Sequence, residues 1–220
     1  MFQTDSFSLI ALFVGMSLLP FLAMVATSYL KIVVVISLVR NALGVQSIPP
    51  NMVVNAIALI LSFYVMAPVV QEGWDIYKEK SAVNKVEKKV YETHIAMEAA
   101  QPMREWLIKQ TDERSRAFFV STAEQLWAKE GEEKAEVNPD SFFILIPSFC
   151  VSELTKAFQI GFLVYLPFIA IDIIISNILL AMGMMMVSPV TISLPFKLLL
   201  FVMVNGWTLL IQGLVRGYIL

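Results

Sequence analysis

Two long apolar stretches flank a charged middle segment, and this division limits the fold more than any other feature of the chain. Residues 71–140 carry 26 of the 34 charged side chains, so the other 150 of the 220 residues are almost free of charge. Charged residues make up 15% of the chain, whereas a soluble domain has about a quarter. The pattern predicts a membrane-class protein in which a polar domain lies between two apolar ones.

The N-terminal stretch predicts a helical hairpin. Its apolar run exceeds the roughly 20 residues that cross a bilayer core, and we expect a retained hydrophobic helix over Phe7–Leu30. Asp5 precedes this helix without any Lys or Arg, which is not the charge pattern of a signal peptide. Arg40–Pro50 is predicted to be a loop with helix-breaking residues, and Asn51 is expected to cap a second helix over Met52–Val70.

The polar middle is predicted to contain short amphipathic helices. One apolar stripe, with spacings of three and four residues that indicate a helix face, comprises Val83, Val86, Val90, His94 and Met97. A second stripe comprises Val120, Ala123 and Trp127. Pro102 separates the two stripes, and the charged segment Gly131–Pro139 is predicted to be a loop.

The C-terminal stretch predicts a second hairpin. Ser141–Val151 is apolar but short, whereas Ile160–Ala181 and Val190–Leu214 are each long enough to cross a bilayer. We expect six prolines to interrupt or end the apolar helices, namely Pro20, Pro68, Pro147, Pro167, Pro189 and Pro195. The carbonyls that they free need neighbouring helices as partners, which favours an assembly of several chains.

The sequence therefore predicts an all-α, membrane-type protein with two long apolar helical hairpins flanking a small polar helical domain. The predicted boundaries are 1–70 for the N-terminal hairpin, 71–140 for the polar domain and 141–220 for the C-terminal hairpin. Arg40, in a loop without acidic residues, favours a cytoplasmic position for that loop. The polar domain would then lie in the periplasm.

The segment between the last two apolar runs, Met182–Pro189, is rich in methionine. Three consecutive methionines, Met184, Met185 and Met186, cannot all lie on one face of a helix. Met is flexible and polarizable and packs against irregular or changing surfaces, so the segment is a candidate for an adaptable seal. A gap-filling apolar turn is the alternative that these residues alone favour.

Ionisable residues inside the apolar runs are costly in lipid and mark positions that face protein or water. Lys31, Asp172 and Lys197 are of this kind. One acid and two bases are few for a proton relay, so we expect a buried pair that orients helices. Glu153 and Lys156 share a helix face, which contacts a neighbouring subunit or faces water.

No catalytic or metal-binding motif is present in the sequence. His94 and Cys150 are the single residues of their kinds, which leaves little material for nucleophilic catalysis or for a metal site. No phosphate-binding glycine loop occurs, and no dense basic patch favours nucleic acid. We expect no enzymatic activity, no cofactor, no metal and no nucleic-acid partner.

Four segments together resemble one known family. They are Arg40–Asn51, Ser152–Phe162, Leu166–Asp172 and, most specifically, Met182–Lys197. Their order and residues resemble the R-type export apparatus proteins of type III secretion systems, the SctR/YscR family, whose flagellar homologue is FliP. The polar middle is similar only in placement and length, and Asn205 stands where related chains often have Asp. The loop before Asn51 and the absent signal peptide favour the virulence-type injectisome over the flagellum.

The resemblance implies a core subunit of the export gate. Several copies, a pentamer in the family's usual arrangement, would form with S and T subunits a channel for unfolded substrate proteins, in contact with other basal-body components and with membrane lipid. Met184, Met185 and Met186 of each copy would form a methionine gasket that closes the channel. Glu153 would lie at a subunit contact. The family resides in the bacterial inner membrane, with the assembled complex largely on the periplasmic side.

The residues alone leave another function open, that of a multi-pass secondary transporter or ion channel subunit. Such proteins place ionisable side chains and broken helices near the midplane of the bilayer. Asp172 with Lys31 is the only candidate relay of this kind in the sequence. A membrane enzyme is a weaker alternative, because the residues that catalysis needs are missing.

Overall fold

The computed structural model describes residues 6–45, 48–83, 88–128 and 135–219, and their regular secondary structure is α-helical. These ranges contain nine helices: α1 Ser6–Val25, α2 Tyr29–Ala42, α3 Asn51–Val83, α4 Lys88–Ala99, α5 Gln101–Gln110, α6 Glu113–Leu126, α7 Phe142–Ala181, α8 Pro189–Met203 and α9 Gly206–Arg216. No strand occurs among the described residues. The predicted all-α fold class is confirmed.

The chain divides into two compact units, each assembled from two separate stretches of sequence. The first unit contains residues 1–30 and 66–153, and the second contains residues 31–65 and 154–220. Helices α3 and α7 each contribute residues to both units. The division at 70 and 140 follows polarity along the sequence and stays a prediction.

The core of the first unit packs α5 against the beginning of α7. Leu107, Leu145 and Phe149 are buried together there. The Asp112 N–H donates to Ser152 Oγ at 2.9 Å, and this buried hydroxyl fixes the short connection between α5 and α6. A long-range hydrogen bond of this kind satisfies a backbone group that the helix ends leave without a partner.

The polar middle forms the predicted short helices, α4, α5 and α6, but the first predicted stripe is wrong. His94 and Met97 are exposed, and Ile95 is buried instead. Val86 lies outside the described residues. The stripe assumed one continuous helix, whereas α3 ends at Val83 and α4 begins at Lys88.

The second stripe is correct only in part. Ala123 is buried and Val120 is partly buried on α6, but Trp127 follows the end of that helix and is exposed. Residues 135–138 have no regular structure, which agrees with the loop predicted over Gly131–Pro139. The first part of that predicted loop, residues 131–134, lies outside the described residues.

Helices α1 and α2 are separate, so the single helix predicted over Phe7–Leu30 is wrong. α1 ends at Val25, and a short break precedes α2. In this break the Thr27 hydroxyl donates to Ala23 O and accepts from the Tyr29 N–H at 3.4 Å. Hydroxyl side chains of this kind compete with the helical backbone for hydrogen bonds, and this competition ends the helix.

Helix α3 is longer than predicted. It continues past Val70 to Val83, because the Glu and Lys residues that follow the apolar run are good helix formers. Asn51 is the first residue of the helix and not its cap. The Asn51 Oδ1 accepts a hydrogen bond from Arg40 Nη1 at 2.6 Å, while the Pro50 carbonyl accepts from the backbone of the first turn.

Helix α7 is one continuous helix of 40 residues, where two apolar segments separated by a polar notch were predicted. Of the six prolines, only Pro189 lies at a helix end. The prediction of helix interruption is wrong for Pro20, Pro68, Pro147, Pro167 and Pro195. Proline removes one backbone hydrogen bond but fixes φ near the helical value, and apolar helices tolerate it where neighbouring groups satisfy the freed carbonyls.

In the second unit, a glycine of α7 lies directly against a side chain of α2. A Cβ built at Gly161 would lie 2.3 Å from Leu38 Cδ1, so a larger residue requires the Leu38 side chain to move. Ile32, Val35 and Ile36 of α2 are buried in the same unit. The backbone of α7 can therefore lie directly against a leucine side chain of α2.

The last apolar run is broken, so the single helix predicted over Val190–Leu214 is wrong. Asn205 separates α8 from α9 and has a φ of 53°, and the two helix axes differ by 60°. Asn is one of the few residues besides glycine that adopt this left-handed conformation readily. The bend seats the backbone of Gly206 against the Phe201 ring, where a Cβ would clash at 2.3 Å.

Among the described residues, two helices are long and apolar enough to cross a membrane. They are residues 51–81 of α3 and the whole of α7. The broken pairs α1 with α2 and α8 with α9 raise the number to four if each pair is one span. Many large apolar side chains on these helices are exposed, so the chain by itself leaves much of its apolar surface uncovered.

Candidate functional site

The methionine-rich segment forms a tight turn between α7 and α8. Gly183 has a φ of 73°, which lies in the left-handed region that favours glycine. Its N–H donates to Leu180 O at 3.0 Å, and the Met184 N–H donates to Leu179 O at 2.9 Å. This pair of bonds is a Schellman cap of α7, so Gly183 fixes the point at which the helix ends and the consecutive methionines begin.

The other side of the turn is fixed by a proline. Ser188 has an extended backbone and makes no side-chain capping bond, and Pro189 is the first residue of α8. Proline is favoured at this position because its φ is already helical and its missing N–H would have no partner there. The three methionines are therefore held in a short segment between two conformationally restricted positions.

The side chains of the last two methionines, Met185 and Met186, are left uncovered by their own chain. Met184, Met185 and Met186 are 41%, 81% and 100% exposed. A gap-filling role within this chain would require buried thioethers. The turn instead presents flexible apolar groups for contact with something else.

A buried ion pair joins α7 to α8 within the same hairpin. Lys197 Nζ lies 2.6 Å from Asp172 Oδ2, and the Ser193 hydroxyl donates to Asp172 Oδ1 at 2.6 Å. Both carboxylate oxygens are thus bound by side chains of α8. A charge-assisted arrangement of this kind fixes geometry as well as charge, so it sets which faces of α7 and α8 meet.

The same lysine also contacts α2. Lys197 Nζ donates to Ala42 O at 3.3 Å, and Ala42 is the last residue of α2. A cation is favoured at a helix C-terminus, where carbonyls lack partners and the helix dipole is negative. Lys197 therefore links three helices of the second unit through one ammonium group.

The structure pairs Asp172 with Lys197, while the third charge has a different environment. The Lys31 ammonium lies 3.6 Å from the centre of the Tyr218 ring, and both residues are buried. A desolvated ammonium over an aromatic face is stabilised by the ring quadrupole. Asp172 and Lys197 thus form a pair between α7 and α8, while the role of this pair in orienting the helices stays a prediction.

Glu153 is completely buried in the single chain, so the alternative that it faces water is wrong. Lys156, three residues later on α7, is partly exposed. The nearby Ser148 and Ser152 are buried as well, and each hydroxyl donates to the carbonyl four residues earlier, at 2.6 and 2.8 Å. The polar notch of the sequence is therefore buried at Glu153 and partly exposed at Lys156.

Two partners in these contacts were not singled out from the sequence. Ser193 lies four residues before Lys197, so both face the same side of α8, and this spacing is a signal that could have found it. Tyr218 lies near the C-terminus, and no sequence pattern connects it with Lys31. Contacts between residues so far apart in the chain depend on the packing of the helices.

The side chain of Arg40 joins the two ends of the Arg40–Asn51 segment by hydrogen bonds. Arg40 Nη1 donates to Pro49 O at 3.1 Å as well as to Asn51 Oδ1. Gly44, with a φ of 81°, lies next to Leu194 of α8, and a Cβ on this glycine would be 3.4 Å from Leu194 Cδ1. In the described part of this segment, Arg40 is bound to Pro49 and Asn51, and Gly44 lies next to α8.

The described part of the chain contains no group of three or more His, Cys, Asp or Glu residues that could hold a metal ion. A cavity of about 420 Å³ lies among α7, α8 and α9, and its walls are apolar, with Pro167, Phe168 and Phe201 among the lining residues.

Long apolar helices, a hairpin fixed by an ion pair and an uncovered apolar turn define a helical membrane protein built for assembly. The FliP family profile matches residues 12–214. The chain is 52% identical over 214 residues to the Yop proteins translocation protein R of Yersinia pestis, which covers 97% of both chains. It belongs to the FliP family, among the R proteins of type III secretion injectisomes.

Other relatives point the same way. The hypersensitivity response secretion protein HrcR of Ralstonia nicotianae is 48% identical over 213 residues and 96% of each chain. The virulence protein YscR of Salmonella typhimurium is 44% identical over 213 residues, which covers 96% of this chain and 95% of its own. The resemblance inferred from the sequence is confirmed. The chain is a core component of the type III export apparatus, located in the inner membrane, and works together with other apparatus subunits.

Proposed function

We propose that several copies of this chain, a pentamer with S and T subunits, form a channel for unfolded substrate proteins that Met184, Met185 and Met186 close at rest. One observation carries this proposal. The turn places three consecutive thioethers at the end of a long apolar hairpin, and their own chain does not cover the outer two. A ring of such turns would bring methionines from every copy to one axis.

Methionine suits a seal that must open for substrate polypeptides of any sequence. Its unbranched thioether adapts to irregular partners, so the same side chains can pack against each other and then around a sliding polypeptide. A narrow apolar constriction also excludes water and ions by dewetting. The proposed closed state therefore needs neither a plug domain nor a catalytic step in this chain.

The hairpin holds the seal at a defined height. From Asp172 to the end of α7 at Ala181 is about 14 Å along the helix axis, at roughly 1.5 Å per residue. The ion pair to Lys197 prevents α7 and α8 from sliding past each other over this distance. We propose that Asp172 and Lys197 act as positioning residues for the methionine turn.

Exposed apolar side chains on α7 provide the proposed contacts with neighbouring subunits and lipid. Phe158, Phe162 and Leu163 are exposed, and uncovered apolar surface on this scale marks an interaction site. Lys156 lies on the same helix and is partly exposed. We place it, together with the buried Glu153 three residues earlier on α7, at a contact between subunits.

A multi-pass topology with the polar segment in the periplasm fits the helices. The apolar part of α3, residues 51–70, is about 30 Å long at roughly 1.5 Å per residue, which is the thickness of a bilayer core. Trp74 and Tyr77 stack one turn beyond it, with Lys78 beside the Trp74 ring. Trp and Tyr are enriched at the membrane–water boundary, so this cluster would mark where α3 leaves the membrane.

The test is ion leakage through the reconstituted complex. We expect M184A/M185A/M186A, co-expressed with the S and T subunits, to assemble with the native mass but to leak ions in liposomes about tenfold faster than the unchanged complex, because the apolar constriction is wider. The matched control replaces three exposed methionines outside the turn, M52A/M97A/M203A. Leakage of the turn variant equal to that of the control would contradict the gasket.

A further inference from the structure

We infer that the bend between α8 and α9 is a binding site for one anionic phospholipid of the inner membrane, with an acyl chain in the apolar cavity and the phosphate on Arg216. The inference goes beyond the proposed channel and does not depend on the methionine gasket. Three observations carry it: the lining of the cavity, the open space along α9 and the charge at the end of that helix.

The cavity among α7, α8 and α9 suits hydrocarbon and not water. Its volume of about 420 Å³ lies within the roughly 300–1,000 Å³ of ligand pockets. All nine lining residues are apolar or glycine. A bound water needs several polar partners, and these walls have almost no polar surface. An occupant of this cavity must therefore be apolar.

The helices around the cavity are membrane-type helices. α7 is long and apolar enough to cross a membrane, and α8 with α9 is a candidate broken span. Six of the nine lining residues come from the bend, between Leu200 and Leu210. The cavity is partly open, so the acyl chains around an inner-membrane protein can enter it. In a bilayer, hydrocarbon is the medium that fills such a space.

One face of α9 leaves space between the cavity and the C-terminal end of the helix. Leu209 lines the cavity, and Gly213 and Arg216 follow at spacings of four and three residues, so the three share a face. A Cβ built at Gly213 would have nothing within 4 Å. The open face from Leu209 to Arg216 is about 10 Å long, at roughly 1.5 Å per residue. A lipid chain can therefore lie along it.

Arg216 provides the charge that a phospholipid needs. It is exposed in the last turn of α9, whereas Lys197 and Arg40 of the same unit bind Asp172 and Asn51. The planar guanidinium binds two phosphate oxygens at once. Long cationic side chains near the ends of apolar helices extend to the membrane surface, where the headgroups lie.

The combination of cavity, open face and cation favours a lipid over a neighbouring subunit. Exposed apolar side chains alone occur along much of this chain and do not distinguish a site. A protein occupant would need apolar side chains for the cavity and an acidic group for Arg216. An anionic phospholipid carries both parts in one molecule, which is complementary to the site in polarity and in charge.

The first test counts the phospholipids that the complex retains. The chain is purified with its S and T subunits in mild detergent, from membranes that contain phosphatidylglycerol and phosphatidylethanolamine, and is weighed by native mass spectrometry. We expect the unchanged complex to retain phosphatidylglycerol. R216Q should retain about fivefold less, which is the effect of one Arg near an anionic surface.

The matched control for the charge is K78Q. It removes an exposed cation that lies beside Trp74 and lines no part of the cavity, so the retention of phosphatidylglycerol should not change. If R216Q and K78Q retained equal amounts, the assignment of the phosphate to Arg216 would be overturned.

The second test closes the open face of α9. G213L adds bulk where the structure has space and removes a glycine from a helix interior, so α9 should be no less stable. The retention of phosphatidylglycerol should nevertheless fall to that of R216Q. T208L adds bulk to an exposed position of α9 away from this face and should have no effect. Equal retention by G213L and T208L would overturn the proposed path along α9.

The third test identifies the occupant of the cavity. A photo-reactive leucine analogue replaces Leu209 in the whole complex in liposomes that contain phosphatidylglycerol. After illumination we expect the mass of one phospholipid added to the chain. A cross-link to another protein chain would assign the cavity to a subunit contact and overturn the inference. None of these outcomes affects the leakage test of the methionine turn, so the two proposals fail separately.

Discussion

Lys197 Nζ lies 2.6 Å from Asp172 Oδ2, so a buried ammonium on α8 is held against a carboxylate on α7. The lysine side chain is almost completely buried, whereas a third of the aspartate side chain stays exposed. Ser193 and the end of α2 complete the group. The contact fixes the alignment of the hairpin that carries the methionine turn, and its removal should therefore affect both stability and closure.

The ion pair should show strong coupling between its two partners. D172N is expected to lower the free energy of unfolding by about 2 kcal/mol, because it leaves a buried charge without its partner while the exposed part of the site moderates the cost. The double variant D172N/K197M should recover most of this loss, since no buried charge remains. Denaturant unfolding in detergent, followed by circular dichroism, measures both.

A matched control for this prediction is S193A. It removes one hydrogen bond to the same carboxylate and should cost only about 1 kcal/mol. A double variant as unstable as D172N alone would show that the destabilisation does not come from the unpaired ammonium.

The turn should depend on glycine for its backbone conformation. G183A is expected to cost about 1 kcal/mol, because Ala is strained at positive φ, although nothing lies within 4 Å of the added Cβ. G183N should cost less, since Asn tolerates this conformation. G15A is the matched control: its Cβ also has open space, but it lies within α1, where Ala is preferred. If G183A and G15A had the same effect on unfolding, the strain argument would be wrong.

The contact between α2 and α7 should be limited by space. G161A places a Cβ 2.3 Å from Leu38 Cδ1, and overpacking of this kind costs about 1–3 kcal/mol. L38A alone should also destabilise, because it leaves a cavity. The double variant G161A/L38A should be more stable than the sum of the two single effects predicts, as measured by a double-mutant cycle in denaturant. If the free-energy changes of G161A and L38A were simply additive, the two residues would not be in direct contact.

The polar part of the chain should lose stability in acid through one ion pair. Lys80 on α3 binds Glu98 on α4, and this hydrogen bond from Lys80 lowers the pKa of Glu98. Because the folded pKa is the lower one, the contribution is present above the unfolded pKa and disappears as pH falls through the folded pKa. The melting temperature of E98Q should therefore fall less steeply with acid than that of the unchanged chain.

Ionic strength and a second glutamate provide the controls for this prediction. The pair is partly exposed, so salt should reduce the difference between the two proteins. E105Q removes an exposed glutamate of α5 and should leave the dependence of the melting temperature on pH unchanged. If the melting temperature of E98Q fell with acid as steeply as that of the unchanged chain, the contact between Lys80 and Glu98 would not explain the loss of stability.

Much of the fold follows from sequence because polarity and periodicity act locally. The segregation of charge predicts the apolar helices, and Gly183 with Pro189 marks the methionine turn. Helix ends were harder to predict. Thr27 ends α1 through a hydroxyl, and Asn205 bends the last run through a left-handed residue, whereas several prolines leave their helices intact. These outcomes depend on hydrogen bonds and packing that a local pattern does not contain.

The candidate site was predictable in its residues but not in its pairing. Asp172, Lys197 and Lys31 were all identifiable as costly charges within apolar runs. Which of the lysines binds Asp172, and that Tyr218 lies beneath Lys31, depends on the alignment of helices far apart in the chain. The exposure of Met186 likewise became evident only once α7 and α8 were placed together.

The most direct test of the central claim is a cross-link between copies at the turn. The C150S substitution first removes the native cysteine. Complexes of the M186C variant with the S and T subunits are then oxidised, and their chains are separated by mass without reductant. The account predicts disulfide-linked copies, because the turns converge and disulfides form only between Cα atoms within about 7 Å. M97C, exposed on α4, should give none. Monomers from M186C in an intact assembly would contradict a channel closed by this turn.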